Sequence, residues 1–315
     1  MRTRTSAAPA PTPLTALDLR LTSGRRRREG TVRVAFAAAA GVSVVISLAI
    51  ILSLVGNALS FIVQVDPLSL WTDGWFPRRG MYDIKTIVAG TFLISLIAML
   101  VAAPLGIGIA LYLSEYAGRR TRKVLKPAIE ILAAIPSVVL GFFALTWISP
   151  NLIQAFTDAP LFSMASAGIA VGILVTPLVS SVAEDAMHAV PDYLREASYG
   201  LGARRRTTSV RVVVPAAVSG IVAALLLGIS RAIGETMIVA IAAGATGGSL
   251  FGLNPLEPGQ TMTAAMTALA IGSDQVRGAA LTFESLFFVG LLLFLITLGL
   301  NLASEAFVRR VRRLY

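Results

Sequence analysis

Residues 86–112 read TIVAGTFLISLIAMLVAAPLGIGIALY, an apolar stretch that contains no charged side chain. An α-helix needs about 20 such residues to cross the hydrocarbon core of a bilayer. A segment in lipid must also satisfy its backbone hydrogen bonds internally, which favours helices. The stretch therefore predicts a transmembrane helix.

Five more apolar blocks of similar length occur along the chain. They are residues 34–63, 127–148, 163–182, 215–243 and 280–303. The 315 residues are 56% hydrophobic and 14% charged, with a mean hydropathy of +0.78. The surface of a soluble domain requires more charge than this. These features predict an all-α polytopic membrane protein with six transmembrane helices.

The basic residues indicate the orientation of these helices, because cytoplasmic loops are enriched in Lys and Arg. Four segments carry 22 of the 27 basic residues: the N-terminus up to Arg33, 119–126, 195–211 and 309–313. The alternate loops contain only Arg78, Arg79, Lys85 and Arg277. Both termini are therefore predicted to be cytoplasmic. The formal charge of +10 reflects this topology and does not indicate a nucleic-acid partner.

The chain divides into four predicted regions. Residues 1–32 form a basic, disordered tail, and residues 33–84 contain the first transmembrane helix and first outer loop. Residues 85–304 form the main membrane region, and residues 305–315 a basic C-terminus. A cleaved signal peptide is the competing interpretation of the N-terminus. The apolar stretch 34–63 exceeds the roughly 7–15 residues of a signal peptide's apolar region, which favours a retained helix.

The third outer loop, residues 244–278, is rich in glycine and proline. Residues 261–270 within it are moderately apolar but too short to span. A re-entrant or surface helix and a low-complexity linker both remain open.

Several kinds of chemistry are excluded by composition. The chain has no cysteine and a single histidine, His188, which leaves no disulfide, thiolate metal site or catalytic thiol. The sequence G-x-x-x-x-G-K-[ST] of a nucleotide-binding phosphate loop is absent. The chain is therefore not itself a phosphate-loop ATPase, and we expect no catalytic residue, metal or bound cofactor in it.

The loop at residues 191–215 carries a spaced motif. Glu196, Ala197 and Ser198 are followed, after a gap of three residues, by Gly202. Nine further residues separate Gly202 from the run Val212–Val214, and Pro215 comes directly after that run. Helical spacing places Leu194, Ala197, Ser198 and Leu201 on one face. Gly202 can take positive φ and end the first helix, and Pro215 suits the start of the next spanning helix. The pattern predicts a helix–turn–helix, with an ordinary basic hairpin as the alternative.

This motif resembles the EAA loop of ABC importer permeases, E-A-A, three residues, G, nine residues, I-x-L-P. Ser198 replaces the second Ala, and Val212 and Val214 replace Ile and Leu. The resemblance implies the type I ABC importer permease fold. It also implies coupling to a separate ATPase through five residues: Glu196, Ala197, Ser198, Gly202 and Pro215.

From about residue 85 to the C-terminus, the chain resembles the C-type permease of the phosphate-specific transport (Pst) system. The segments that carry this resemblance are 104–108, 113–116, 125–130, 135–139, 184–191, 231–237 and 254–258. The resemblance implies a permease for inorganic phosphate in the bacterial plasma (inner) membrane. Its partners would be an A-type second permease, an ABC ATPase dimer that uses ATP and Mg, an extracytoplasmic phosphate-binding protein and membrane lipid.

Two charged residues, Arg231 and Glu235, lie within the fifth apolar block. Ionisable groups at such depth normally pair or face a cavity, and residues at i and i+4 can pair. They are candidates for the translocation path, with a self-neutralising structural pair as the alternative. Ser137 and Thr176, beside Pro136 and Pro177, are weaker candidates, because such hydroxyls often bond to their own helix.

Three other functions remain open at this point. The chain could be the A-type partner or a permease for another oxyanion. It could also be a secondary transporter, although internal repeats typical of those proteins are not evident. A structural scaffold is disfavoured by the charges within the fifth block.

Overall fold

The computed structural model describes residues 23–71, 74–244, 248–271 and 281–312, with the side chains of 23–28, 271 and 307–312 left aside. The tail residues 1–22 and Arg277 lie outside this description. The chain forms two compact units, Met1–Ser53 and Leu54–Tyr315. The first contains most of one long helix, whose side chains from Glu29 to Ile50 are exposed.

Helices account for most of the described chain. The α-helices are α1 (Ser23–Gln64), α2 (Ile84–Leu111), α3 (Arg119–Ala133), α4 (Ser137–Phe143), α5 (Met164–His188), α6 (Asp192–Gly200), α7 (Arg205–Thr208), α8 (Val214–Ala216), α9 (Val218–Ile233), α10 (Met237–Ala242), α11 (Met262–Ile271) and α12 (Thr282–Arg312). Three π-helical segments, Tyr112–Tyr116, Ala144–Ile153 and Ser209–Val213, extend α2, α4 and α7. Short 3₁₀ turns occupy Pro67–Trp71 and Pro77–Arg79.

A small antiparallel sheet accompanies the helices, so the all-α prediction was incomplete. Its strands are β1 (Gly74–Phe76), β2 (Met81–Tyr82) and β3 (Ser249–Leu250), in the order β2-β1-β3. Trp75 pairs with Tyr82 on one side of β1 and with Ser249 on the other. Runs of two or three residues are too short to show the alternation by which strands are recognised in a sequence.

Four helical stretches in the described residues are long and apolar enough to cross a membrane: Glu29–Gln64, Ile84–Tyr116, Met164–His188 and Thr282–Ala306. Two bent pairs, Arg119–Ala133 with Ser137–Ile153 and Arg205–Ala216 with Val218–Ile233, raise the number to six if each is one span. The range of four to six includes the predicted six but does not establish it.

Two predicted spans are broken. The block 127–148 is interrupted at Ala134–Pro136, where the pair bends by 87°. Pro136 disfavours helical backbone in the residue before it. The block 215–243 does not begin as one helix at Pro215. A 71° bend precedes Val218, and a second break at 234–236 separates α9 from α10.

Other boundaries also differ from prediction. Residues 23–32, expected to be disordered, are the first residues of α1. Residues 262–271 form α11, in which Met262 and Ala265 are fully buried, so this segment is a packed helix and not a linker.

The central packing lies between α2 and α5. A Cβ at Gly172 would lie 2.7 Å from the Ala98 carbonyl oxygen, and a Cβ at Gly168 2.7 Å from Ile97. Small residues allow two helix backbones to approach this closely in a membrane. α5 is thus packed tightly on α2, and the motif loop follows the C-terminal end of α5.

Candidate functional site: the loop after α5 and the broken helix α9–α10

The motif loop is a helix, a turn and a second helical segment. α6 ends at Gly200, and Gly202 has a φ of +78°, as its predicted role requires. The N–H of Gly202 donates to the Tyr199 carbonyl (2.9 Å), and that of Ala203 to the Ser198 carbonyl (3.1 Å). These bonds satisfy carbonyls that the end of α6 would leave unpaired. The chain then turns back through α7 towards α9.

The four residues of the predicted face of α6 differ in their exposure. Leu194 packs against the main core, and the hydroxyls of Ser198 and Thr208 lie 2.9 Å apart, linking α6 to α7. Ala197 is exposed, and Leu201 is 90% exposed. Two of the four residues are thus half-buried and two are open to a partner. Leu194 and Ser198 attach the helix, whereas Ala197 and Leu201 lie on its open surface.

Glu196 belongs to the same open surface as Ala197. Tyr193 is exposed beside it. Pro215, the last motif residue, lies in α8, before the bend that precedes α9. The motif thus provides an exposed helix face at one end and a bend at the other.

Arg195 attaches α6 to the rest of the protein. Its Nη2 lies 2.9 Å from Glu115 Oε1 and donates to the Met187 carbonyl (2.9 Å). Its Nη1 donates to the Val190 carbonyl (2.6 Å) and to Asp192 Oδ1 (3.2 Å). The guanidinium therefore connects α6 with the C-terminal end of α5 and with the segment after α2. The positive charge also suits a helix C-terminus.

Sequence reasoning did not identify Arg195 or Glu115 as a pair. Glu115 is 5% exposed and lies in the segment Tyr112–Tyr116. The two are separated by 80 positions, which no helical or strand periodicity connects. A carboxylate at the end of an apolar block was the one available signal that Glu115 needs a cationic partner.

A second charge cluster ties α3 to α5. Lys126 Nζ lies 2.6 Å from Glu184 Oε2 and 2.9 Å from Asp185 Oδ1, and Arg122 pairs with Glu184 Oε1. These cations offset the acidic residues at the C-terminal end of α5. Arg122 Nη1 also lies 3.3 Å from the His188 ring nitrogens.

Arg231 and Glu235 lie at the break between α9 and α10. Arg231 Nη1 is 3.6 Å from Glu235 Oε2. This ion pair joins Arg231, in the last turn of α9, to Glu235, which follows the end of α9 at Ile233. The Glu235 residue is 3% exposed, whereas the Arg231 side chain is 50% exposed. The Ile238 N–H donates to Glu235 Oε1 (3.5 Å), and Thr263 Oγ1 to the Glu235 carbonyl (2.9 Å). These bonds hold Glu235 in place, whereas half of the Arg231 side chain remains exposed.

The two hydroxyl candidates have different surroundings. Thr176 Oγ1 donates to the Gly172 carbonyl (2.8 Å) within α5, and the residue is buried. Ser137 begins α4 and is half-buried. α4 packs against α10, where a Cβ at Gly141 would lie 3.1 Å from Ile241. α4, which follows the break before Ser137, thus contacts α10, which follows the break at 234–236.

Neither cluster resembles a metal centre. Among the described residues, no group of three or more His, Asp or Glu side chains could hold a metal ion. The ion pairs described above join each carboxylate to Arg or Lys.

The family model for "Binding-protein-dependent transport system inner membrane component" matches residues 102–313. This chain belongs to that family. It is thus an inner-membrane component of a binding-protein-dependent ABC importer, a non-catalytic permease subunit. Such a subunit implies an ATPase and a substrate-binding protein as partners.

Relatives confirm the resemblance to the C-type permease of the Pst system. The phosphate transport system permease protein PstC of Pasteurella multocida is 31% identical over 265 residues, covering 78% of this chain and 80% of the relative. PstC 1 of Mycobacterium tuberculosis is 32% identical, covering 77% of each. The probable ABC transporter permease protein YqgH of Bacillus subtilis is 36% identical, covering 66% and 68%.

Solved structures confirm the permease fold. A chain of a bacterial ABC transporter for import of the acidic polysaccharide alginate matches with a TM-score of 0.63 and 15% identity. The match covers 90% of this chain and 99% of that one. A chain of the MetNI methionine transporter, in an inward-facing conformation, matches with a TM-score of 0.51 and 19% identity.

Proposed function

We propose that this chain forms, together with a second permease, the transmembrane path for inorganic phosphate in an ATP-driven importer. The half-exposed Arg231 guanidinium beside the buried Glu235, at a helix break, is the observation that carries the substrate assignment. Guanidinium binds phosphate oxygens in a bidentate manner. The names of the PstC relatives support the same substrate.

The break itself suits a transport path. Backbone that is not helical is tolerated at membrane depth where protein or a water-filled cavity surrounds it. Glu235 restrains Arg231 through the 3.6 Å ion pair, and the exposed half of the guanidinium remains free to meet an anion. An importer's path needs only weak contacts, because the substrate-binding protein selects the ion. Ser137, on α4 against α10, and Thr176, on α5, are proposed to border this path.

Coupling to the ATPase is assigned to the open face of α6. This face presents Glu196, Ala197 and Leu201, while Ser198 and Leu194 hold the helix to the protein. Gly202 ends the helix, and Pro215 lies before the bend that leads into α9. Movement of a docked ATPase would reach α5 and the segment after α2 through Arg195 and its partners.

The proposed complex contains four kinds of subunit: this C-type permease, an A-type permease, an ABC ATPase dimer that uses ATP and Mg, and an extracytoplasmic phosphate-binding protein. Both termini and α6 are proposed to be cytoplasmic, with six spans in total. This chain itself would bind no nucleotide.

Uptake by cells that lack this chain tests the substrate. Labelled phosphate uptake at low external phosphate should fall when the chain is deleted and return on complementation. Arsenate in excess should compete, and sulfate should not. Sulfate competition equal to that of arsenate would show a permease for another oxyanion. Uptake that persists after ATP depletion but stops when the proton gradient is dissipated would show a secondary transporter.

A further inference from the structure

α3 is a 15-residue helix with three distinct faces. Arg122, Lys126 and Ile129, at i, i+4 and i+7, are the half-buried residues near its middle, and the first two pair with Glu184 of α5. A second face is apolar and exposed in this chain. Its members are Val124, Leu125, Ala128, Ile131 and Leu132.

The third face is charged and exposed. It contains Arg119, Lys123 and Glu130, and Arg120 lies at its border with the apolar face. At 3.6 residues per turn, Glu130 and Arg119 fall nearly opposite Ala128. A helix with one apolar face and a basic opposite face is typical of a segment that lies in a membrane interface.

The bend after α3 supports the same position. Ser137–Ile153 has 17 residues, the lower limit of about 17 for crossing the hydrocarbon core, and α3 lies at 87° to it. If Ser137–Ile153 crosses the bilayer, α3 runs along the membrane plane. Its contacts are with Glu184 and Asp185 in the last turn of α5, which places it at the end of that spanning helix.

We propose that α3 is an interfacial helix that binds anionic phospholipids. Val124, Ala128, Ile131 and their neighbours enter the acyl layer, and Arg119, Arg120 and Lys123 contact headgroup phosphates. Long basic side chains can bury their stems against apolar surface and keep the charge in the headgroup layer. The pairs from Arg122 and Lys126 to Glu184 hold the helix in register with α5.

Charge complementarity favours lipid over a second protein subunit. The exposed cations Arg120, at the border of the apolar face, and Arg119 and Lys123, on the charged face next to it, outnumber the carboxylate of Glu130 there. An anionic headgroup layer complements this border, whereas the buried centre of a protein interface is usually depleted of charge. The alternative is that the second permease covers the apolar face of α3, and the experiment below distinguishes the two.

The absence of cysteine allows a direct depth measurement. Ile131→Cys and Glu130→Cys are adjacent exposed positions on the apolar and charged faces. Each is labelled with an environment-sensitive fluorophore in the assembled transporter and reconstituted into vesicles of phosphatidylcholine and phosphatidylglycerol. Brominated acyl chains should quench the label at 131 at least about threefold more strongly than that at 130.

Two results would overturn the proposal. Equal quenching at the two positions would show that α3 does not lie with its apolar face in the acyl layer. An unquenched label at 131, with disulfide cross-linking of Ile131→Cys to the second permease, would show a protein interface.

A second variant tests the headgroup contact separately. The triple variant Arg119→Gln/Arg120→Gln/Lys123→Gln is made in the protein labelled at position 131. Quenching of this label by brominated phosphatidylglycerol should fall by about fivefold or more, since each basic residue near an anionic membrane surface adds to the attraction for anionic lipid. Quenching by brominated phosphatidylcholine should remain. Unchanged phosphatidylglycerol quenching would refute the headgroup part of the proposal, whatever the transported ion.

Discussion

Arg195 Nη2 lies 2.9 Å from Glu115 Oε1, joining α6 to the segment that follows α2 across 80 positions of sequence. The Arg195 side chain is 14% exposed and that of Glu115 is 3% exposed, so the pair is largely removed from solvent. The same guanidinium binds two carbonyls at the end of α5. Movement of α6 relative to α5 must therefore break several charge-assisted bonds.

Arg195→Gln should destabilise this attachment. Removing one partner of a buried ion pair leaves the other charged and unpaired, at a cost of about 3 kcal/mol. We expect a lower melting temperature for the purified subunit and less phosphate transported per ATP hydrolysed. The melting temperature is measured on the purified subunit, and the transport ratio on the reconstituted importer.

Asp192→Asn is the matched control, because Asp192 also contacts Arg195 (3.2 Å) but its side chain is 89% exposed. An exposed pair contributes about 1 kcal/mol or less. Equal effects of the two variants would contradict a special role for the Glu115 contact. Glu115→Gln in the Arg195→Gln background should recover part of the stability, since it removes the unpaired charge.

Gly202→Ala should weaken binding of the ATPase. The φ of +78° costs an alanine roughly 1 kcal/mol or more, although a Cβ there would meet no atom within 4 Å. Gly200→Ala is the control, because a Cβ there also has open space but φ at Gly200 is not positive. Pull-down of the ATPase should fall for Gly202→Ala alone, and equal retention by both variants would refute the turn's role.

Cysteine labelling tests the orientation. Leu253→Cys is an exposed position between β3 and α11, and Arg206→Cys an exposed position in α7. In intact cells a membrane-impermeant thiol reagent should label 253 and leave 206 unlabelled until the membrane is permeabilised. The reverse result would show that α6 and the basic loops face outward.

Long apolar runs predicted α2 and α5 well, because burial in lipid imposes length and composition on each. The breaks at 134–136 and 234–236 were not predicted, although Pro136 at the first and Gly234 and Glu235 at the second are local signals, because each lies within a run long enough for one span and the bend depends on packing such as that of α4 on α10. β1 and β2 were missed because each is only two or three residues long, and β3 because it pairs with β1 from a distant part of the sequence.

In the functional site, too, features with a local cause were predicted and features set by distant contacts were not. Gly202 was predicted, since a glycine at a helix end has a local conformational reason. Which residues attach α6 to the protein was not predicted, because this depends on the packing of Leu194 and on the bond from Arg195 to Glu115, 80 positions away. The Glu235 environment also depends on Thr263 of α11, far along the chain.

The last prediction concerns Arg231 and Glu235. Arg231→Gln should abolish phosphate uptake while assembly with the ATPase persists, because the proposed anion contact is lost. Arg231→Lys should restore uptake only partly, since an ammonium keeps the charge but lacks the planar fork. Labelled phosphate uptake and co-purification of the ATPase provide the two measurements.

The double variant Arg231→Gln/Glu235→Gln separates a transport role from a purely structural one. If the two charges served only to neutralise each other, replacing both would leave a neutral pair at the break and normal uptake. If Arg231 meets the anion, the double variant should assemble and remain inactive, because removing Glu235's charge restores no cation to the path. Normal phosphate uptake by an assembled double variant would therefore refute the assignment of Arg231 to the path.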